Sequence, residues 1–377
     1  MDFTLTDDQR ELRDLAARIL SDAVTDESLR QFAAGTDPYD AGLWATLADA
    51  GLLGLAISED AGGLGLGMVE LGLLLEEQGR TLAPIPLTAT IALGAVAIDR
   101  HGSAAQKEAW LSKAIGGQAI LTAAIEEIGG IDATLPATRA QADGNGWRLT
   151  GTKVAVPYGA QAAAILVTAM TADGPALFLI DPAGPGVRID PQQSTSGEPQ
   201  ALVTLDGATL PGDALIGNIE DGAAIVADLV GRGQVALAQR QVGVAAEALR
   251  RTADYSSNRF QFGKALGSFQ AVQQRAADAF IDVEAMRSTS LLAAWQFDAG
   301  VVQTADVATA KYWAAMGGHR VVHTAQHLHG GMGADVTYPI HRFFLVATQI
   351  GQALGGAAPM LAKIGREVAA GNTGPLA

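Results

Sequence analysis

Cysteine is absent from all 377 residues of this chain, which excludes a disulfide framework, a thiol nucleophile and any metal held by thiolates. The absence fits a reducing compartment, so a cytoplasmic location is expected. Basic residues are also scarce: 25 Lys and Arg face 40 Asp and Glu, a net charge of -15. A field of that sign repels phosphate backbones and anionic headgroups, so neither nucleic acid nor a membrane surface is expected as a partner. Long apolar runs are missing too. The two uncharged stretches, 81–98 and 154–172, are broken by Pro84 and Pro86 and by Pro157, Gly159 and Gln161, and neither suits the roughly 20-residue helix that spans a bilayer. The opening MDFTLTDDQRELRDL is acidic and polar where an export signal is basic and then apolar, so none is expected. Aromatics make up 5%; with so many alanines and glycines this is compatible with a roomy cavity, but plain helix packing explains it better.

What is present is a chain long enough for two or three domains, 49% hydrophobic and able to bury cores. Thr6-Asp7-Asp8-Gln9 forms a capping-box pattern ahead of Leu12, Leu15, Ala16, Ile19 and Leu20, the spacing of one helix face. Helical patterns follow at 43–50, 68–78 and 87–115, punctuated by EDAGGLGLG and LAPIP, and predict a helical domain over 1–118. The period then changes. WRLTGTKVAV, AAAILVTAM and ALFLID alternate with glycine-, proline- and aspartate-rich turns, which predicts an antiparallel β domain over 119–216. Helical periodicity returns over 217–377 with few prolines, and no fixed-period repeat is present.

Four of the six histidines fall in HRVVHTAQHLHGGMG, residues 319–333. His319, His323 and His327 share a face of a helix, and two such residues can chelate zinc. No His-Glu-x-x-His pattern accompanies them, and the one nearby carboxylate, Asp335, lies beyond a Gly-Gly break. Helix-packing and surface roles are therefore expected rather than a metal site. The second candidate is NRFQFGKALGSFQAVQQRAAD, residues 258–278, which places an arginine fork, two aromatics and a glycine ahead of a helix and could grip a diphosphate. The adjacent glycines of HLHGGMG would let backbone approach a ligand closely.

These two stretches resemble signatures of the acyl-CoA dehydrogenase family: Arg-x-x-Phe-Gly, then Phe-Gln, then Ala-Asp, and further on Gly-Gly-x-Gly with Tyr338-Pro339. The resemblance implies an α+β fold with an N-terminal helical domain, a central antiparallel β domain and a C-terminal four-helix bundle. It also implies FAD as cofactor, its ADP half held by Arg259, Phe262, Gly263, Gln270, Gly330 and Gly331 while the flavin lies in a neighbouring subunit. His327 stands where many relatives have glutamine.

The same resemblance exposes what is missing. Removal of an α-proton from an acyl-CoA needs a carboxylate, yet the family's usual glutamate position falls at Leu354 and its alternative at Gly233. No acid occurs from Leu229 to Ala246, and Glu367 is the only one after Asp335; Asp228 and Glu247 merely flank the first window. In IEEIGGID, residues 125–132, Ile125 and Ile131 replace a hydroxyl donor and a serine. In KVAVPYG, Ala155 and Pro157 stand where a tryptophan and a threonine meet the flavin. The expected role is the base-less subunit of a heterotetrameric acyl-CoA dehydrogenase, similar to bacterial enzymes acting on steroid side-chain thioesters, with a sister subunit and an acyl-CoA as partners. A homotetramer using Glu247 as base and a non-redox structural or regulatory relative are the alternatives.

Overall fold

The computed structural model describes residues 3–372. It opens with α1 (Asp7–Ala23), capped as expected: the Thr6 side chain accepts from Gln9 N while Gln9 Oε1 accepts from Thr6 N. Helices α2 (Asp26–Ala34), α3 (Ala41–Asp49) and α4 (Met68–Thr81) follow. Over 87–115 the predicted helical run divides into a wide π-type segment, Thr88–Ala95, continuing into α5 (Val96–His101), and α6 (Ala104–Ile115). The division falls at Gly102-Ser103 because Ser103 and Gln106 form a second capping box that starts a new helix. Helix α2 was not expected from sequence; it buries no side chain, so it leaves no apolar periodicity to read.

The β region contains β1 (Leu121–Ala124), β2 (Arg139–Asp143), β3 (Gly146–Pro157), β4 (Ala164–Met170), β5 (Pro175–Ile180), β6 (Val187–Gln193) and β7 (Pro199–Leu210). Pairings β2–β3, β3–β7, β4–β5 and β6–β7 are antiparallel, as expected. Strand β1 departs from this by running parallel to β4, with a single parallel bridge also joining β2 to β4. Parallel neighbours need a long crossover, and here residues 125–163, which include the β2–β3 hairpin, provide it. Phe178, Ile165, Val167, Val203 and Leu205 fill the sheet's core, with Trp147 edge-on to Phe178 at 5.2 Å.

Among the described residues five more α-helices follow: α7 (Gly222–Asn258), α8 (Gln270–Ala299), α9 (Thr304–Leu328), α10 (Ile340–Gln352) and α11 (Ala357–Ala369). Gly300 ends α8 in the left-handed conformation, a cap that glycine adopts without a Cβ clash. Val242, Ala245, Ala279, Val283, Met286 and Val321 pack α7, α8 and α9 together.

The described chain forms two compact units. One gathers the residues up to Gln31, Met68–Ala83 and those from Gln234 onward; the other holds Phe32–Gly67 and Pro84–Gly233. Within the first, α4 and α7 cross with backbones touching. A Cβ at Gly243 would overlap the carbonyl of Glu76, and one at Gly79 the carbonyl of Arg240.

Candidate cofactor-binding site

The first arm grows from the end of α7. Arg259 N donates to Tyr255 O at 2.8 Å, and Leu266 N donates to Arg259 O at 2.9 Å, which closes a ribbon of β8 (Phe260–Gln261) and β9 (Lys264–Ala265). Its two-residue turn puts Phe262 and Gly263 at φ 52 and 79. Hairpins of this length demand left-handed backbone at such positions, natural for glycine and costly for phenylalanine. The turn holds Phe262 out at 90% exposure. Its ring meets Phe269 edge-on at 6.2 Å, while Lys264 Nζ sits 4.2 Å from the Phe269 centroid. Arg259 is exposed and makes no ion pair among the described residues; Gln270 begins α8, also exposed.

The second arm follows α9. At Gly330, φ 58, and at Gly331 an added Cβ would meet nothing within 4 Å, so the backbone faces open space. Gly333 differs: a Cβ there would strike the Gln326 carbonyl, and the fold itself requires glycine. Between helix and turn, buried His329 stacks on Tyr255 with ring centroids 4.3 Å apart and planes at 25°. The structure thus draws the ends of both arms to one aromatic contact. One arm offers an exposed guanidinium and a bare phenyl ring and the other an open glycine backbone, groups chemically suited to a diphosphate and an aromatic base.

The remaining histidines have other places. His319 and His323 touch with centroids 4.1 Å apart, and His323 lies edge-on to Phe344 at 4.8 Å. His323 and His327 line a cavity of about 770 Å³ with Arg275 and Arg320. Among the described residues no group of three or more His, Cys, Asp or Glu could hold a metal ion.

At the family's base position the turn after α10 is tightly built. Lys311, fully buried, donates through Nζ to the carbonyls of Ile350 at 2.7 Å and Gly351 at 3.2 Å, capping α10 with a cation where its carbonyls end. Leu354 follows at φ 53 with 6% exposure, its carbonyl accepting from Gln234 Nε2. Gly233 lies within α7. The flanking acids are engaged. Both oxygens of Glu247 accept from Arg250, and one also from Arg251 Nε at 2.8 Å. Burial works to raise the Glu247 pKa, but these two guanidinium groups hold it below the usual carboxylate range. In the other unit, burial likewise opposes ionisation of Asp228, yet His101, Arg232 and Arg100 outweigh it and keep its pKa low.

That second unit also carries the stretch compared with a flavin-facing strand. A bulge between Lys153 and Val156 places Ala155 at φ 52, its N–H donated to Gln192 Oε1 at 3.2 Å. Pro157 contributes only its carbonyl, which accepts from Thr122 Oγ1 at 2.6 Å. Lys153, fully buried, donates to Glu127 Oε1 at 2.7 Å and Thr168 Oγ1 at 3.0 Å. Glu127 also accepts from the N–H groups of Ala137 and Thr138 and from the Thr138 hydroxyl, stapling the loop 127–138 at its base. The neighbouring Glu126 takes part through its carbonyl, which accepts from Val154 N at 2.9 Å. Ile128 and Ile131 stand exposed on the loop.

Family models agree with this architecture. Residues 6–118 match the acyl-CoA dehydrogenase N-terminal domain, 122–205 its middle domain and 220–369 its C-terminal domain. The chain belongs to the acyl-CoA dehydrogenase family, with its three-domain fold. It is 38% identical to acyl-CoA dehydrogenase FadE27 of Mycobacterium tuberculosis, over 98% of this chain and 99% of the relative. Among solved structures it is similar to a chain of a single-site variant of the Tcur3481-Tcur3483 steroid ACAD, with TM-score 0.92 and 43% identity, covering 98% of this chain and 99% of that one. The ChsE4-ChsE5 complex from M. tuberculosis gives TM-score 0.92 at 38% identity with the same coverage. Among the described residues no helix is long and apolar enough to cross a membrane.

Proposed function

We propose that this chain is the subunit of an FAD-dependent acyl-CoA dehydrogenase that grips the ADP half of the cofactor, while a sister subunit supplies the base. The observation that carries the reading is the pair Leu354 and Gly233: neither can take a proton, and the flanking carboxylates Asp228 and Glu247 are locked in ion pairs. An acid with its oxygens already committed to arginines makes a poor general base. FAD held here would supply the hydride acceptor for the β-hydrogen of the acyl group, and the α-proton would have to go to a base that this chain does not offer.

This chain's part is to hold the cofactor. Arg259 offers a fork of N–H donors to the pyrophosphate. Phe262 and Gly263 set the ribbon's turn, Gln270 stands at the head of α8, and the Gly330 and Gly331 backbone leaves room for the nucleotide. Two of the similar structures are of paired polypeptides, and one is called a steroid ACAD. These names support a heteromeric assembly acting on a bulky, steroid-type acyl-CoA.

The test is to purify the tagged chain alone and with the sister subunit that accompanies it in its source organism, then record absorbance and native mass. Little flavin alone, and stoichiometric flavin with activity in the complex, is the expected result. Arg259→Ala should lower flavin content in the complex. A chain that is fully yellow by itself and bleaches on addition of an acyl-CoA would overturn the reading.

A further inference from the structure

We infer that Tyr255 and His329 act as a positioning pair that fixes the two arms of the nucleotide grip relative to one another; this rests on the cofactor reading above. The ribbon β8–β9 has two residues per strand. A hairpin that short gains too little from its own pairing to set its direction. Its orientation is owed to its root, where Arg259 N is bonded to the carbonyl of Tyr255. The other arm, Gly330 and Gly331, has no side chains of its own; it is held between His329 before it and Gly333 after it, whose carbonyl accepts from Gln326 Nε2 at 3.1 Å.

His329 is unusually well fixed. Its backbone N–H and its Nδ1 both bond the Ala325 carbonyl, at 3.2 and 2.7 Å. A carbonyl only accepts, so Nδ1 carries the proton and Nε2 is a bare lone pair, buried and without a hydrogen-bond partner among the described residues. Protonating Nε2 would place an unpaired N–H among aromatic rings, so the ring stays neutral and stacks flat on Tyr255. Tyr338 closes the group, its ring 6.4 Å from Tyr255 and 5.4 Å from His329. Neither Tyr255 nor His329 is needed to touch the cofactor; both act through the backbone segments that follow them.

The experiment uses the full-length complex, stripped of flavin and titrated with FAD, in five forms: wild type, Arg259→Ala, Tyr255→Phe, Tyr255→Leu and His329→Ala. Loss of one aromatic stack should weaken FAD binding roughly tenfold in Tyr255→Leu and His329→Ala, while Tyr255→Phe, which keeps the ring, stays within about twofold of wild type. Native mass should be unchanged throughout. The pair's role is overturned if Tyr255→Leu and His329→Ala bind FAD like wild type while Arg259→Ala does not, or if Tyr255→Phe is as weak as Tyr255→Leu. If Arg259→Ala itself binds normally, the cofactor reading fails and this inference goes with it. Should Tyr255→Leu fail to assemble, His329→Ala breaks the same contact from the other side and is judged by the same criterion.

Discussion

The buried amide of Gln234 donates to the carbonyl of Leu354 at 2.8 Å, tying α7 to the turn where relatives would carry their glutamate. The turn is therefore held in place although it presents an aliphatic side chain. A carboxylate put there would find the nearby cation, Lys311, already committed to the Ile350 and Gly351 carbonyls. Leu354→Glu should cost about 2–4 kcal/mol of stability, since it buries a charge without a partner. Urea unfolding of the two forms measures this, and equal stability would mean the side chain reaches solvent or a counter-ion.

Glu247 supports structure rather than turnover. It bridges Arg250 and Arg251, and Arg251 in turn holds Asp26 at 2.9 Å. Glu247→Gln should lower stability by about 1–3 kcal/mol, because it leaves two guanidinium groups short of a partner. Turnover by the purified complex should stay within about twofold, as the transition state loses no contact. A collapse of kcat with stability intact would make Glu247 the base.

Lys153 gives a pH signature. Burial depresses its pKa to about 8, against the pull of Glu127, while its ordinary value is 10.5. On raising the pH the folded chain sheds this proton first, so between these values the unfolded chain binds more protons. The group's contribution to stability therefore rises with pH across that window and levels off above it. Chemical unfolding of wild type and Lys153→Met from pH 7.5 upward should show the difference between them growing in favour of wild type, by up to about 3 kcal/mol. A flat difference would show that Lys153 keeps its ordinary pKa in the folded chain, as a well-solvated amine does.

The α4–α7 crossing permits no side chain. Gly243→Ala would drive a methyl into the Glu76 carbonyl, and the helices must separate to admit it. A loss of about 1–3 kcal/mol is expected from such overpacking. An exposed glycine such as Gly365 in α11, where a Cβ meets nothing within 4 Å, should instead gain by roughly 0.5–1 kcal/mol on change to alanine. Parallel thermal melts of the two variants decide it.

Much of the architecture was readable because it is local. The Thr6–Gln9 box, the long alanine-rich helices and the alternating strands announce themselves through capping chemistry and period. The parallel pairing of β1 with β4 does not, since register over a long crossover is decided by the assembled sheet. Arg259 and Gly330 were singled out from motifs alone, and their role is the one proposed above. Tyr255 and His329 were not, because their contact arises only when the ends of α7 and α9 converge. The partner of Lys153 also escaped: adjacent glutamates at 126 and 127 look alike in sequence, and the path of the loop after β1 decides which one faces the amine.

Phe260 and Phe262 stand bare on the ribbon of a chain bearing a net charge of -15. The two features operate at different ranges. Identical copies repel one another across a screening distance of roughly 8 Å at physiological salt, whereas phenyl rings attract only on contact. Charge thus governs which surfaces come near, and the rings govern which remain. Rising ionic strength should therefore weaken the repulsion between copies before it loosens any contact the rings make.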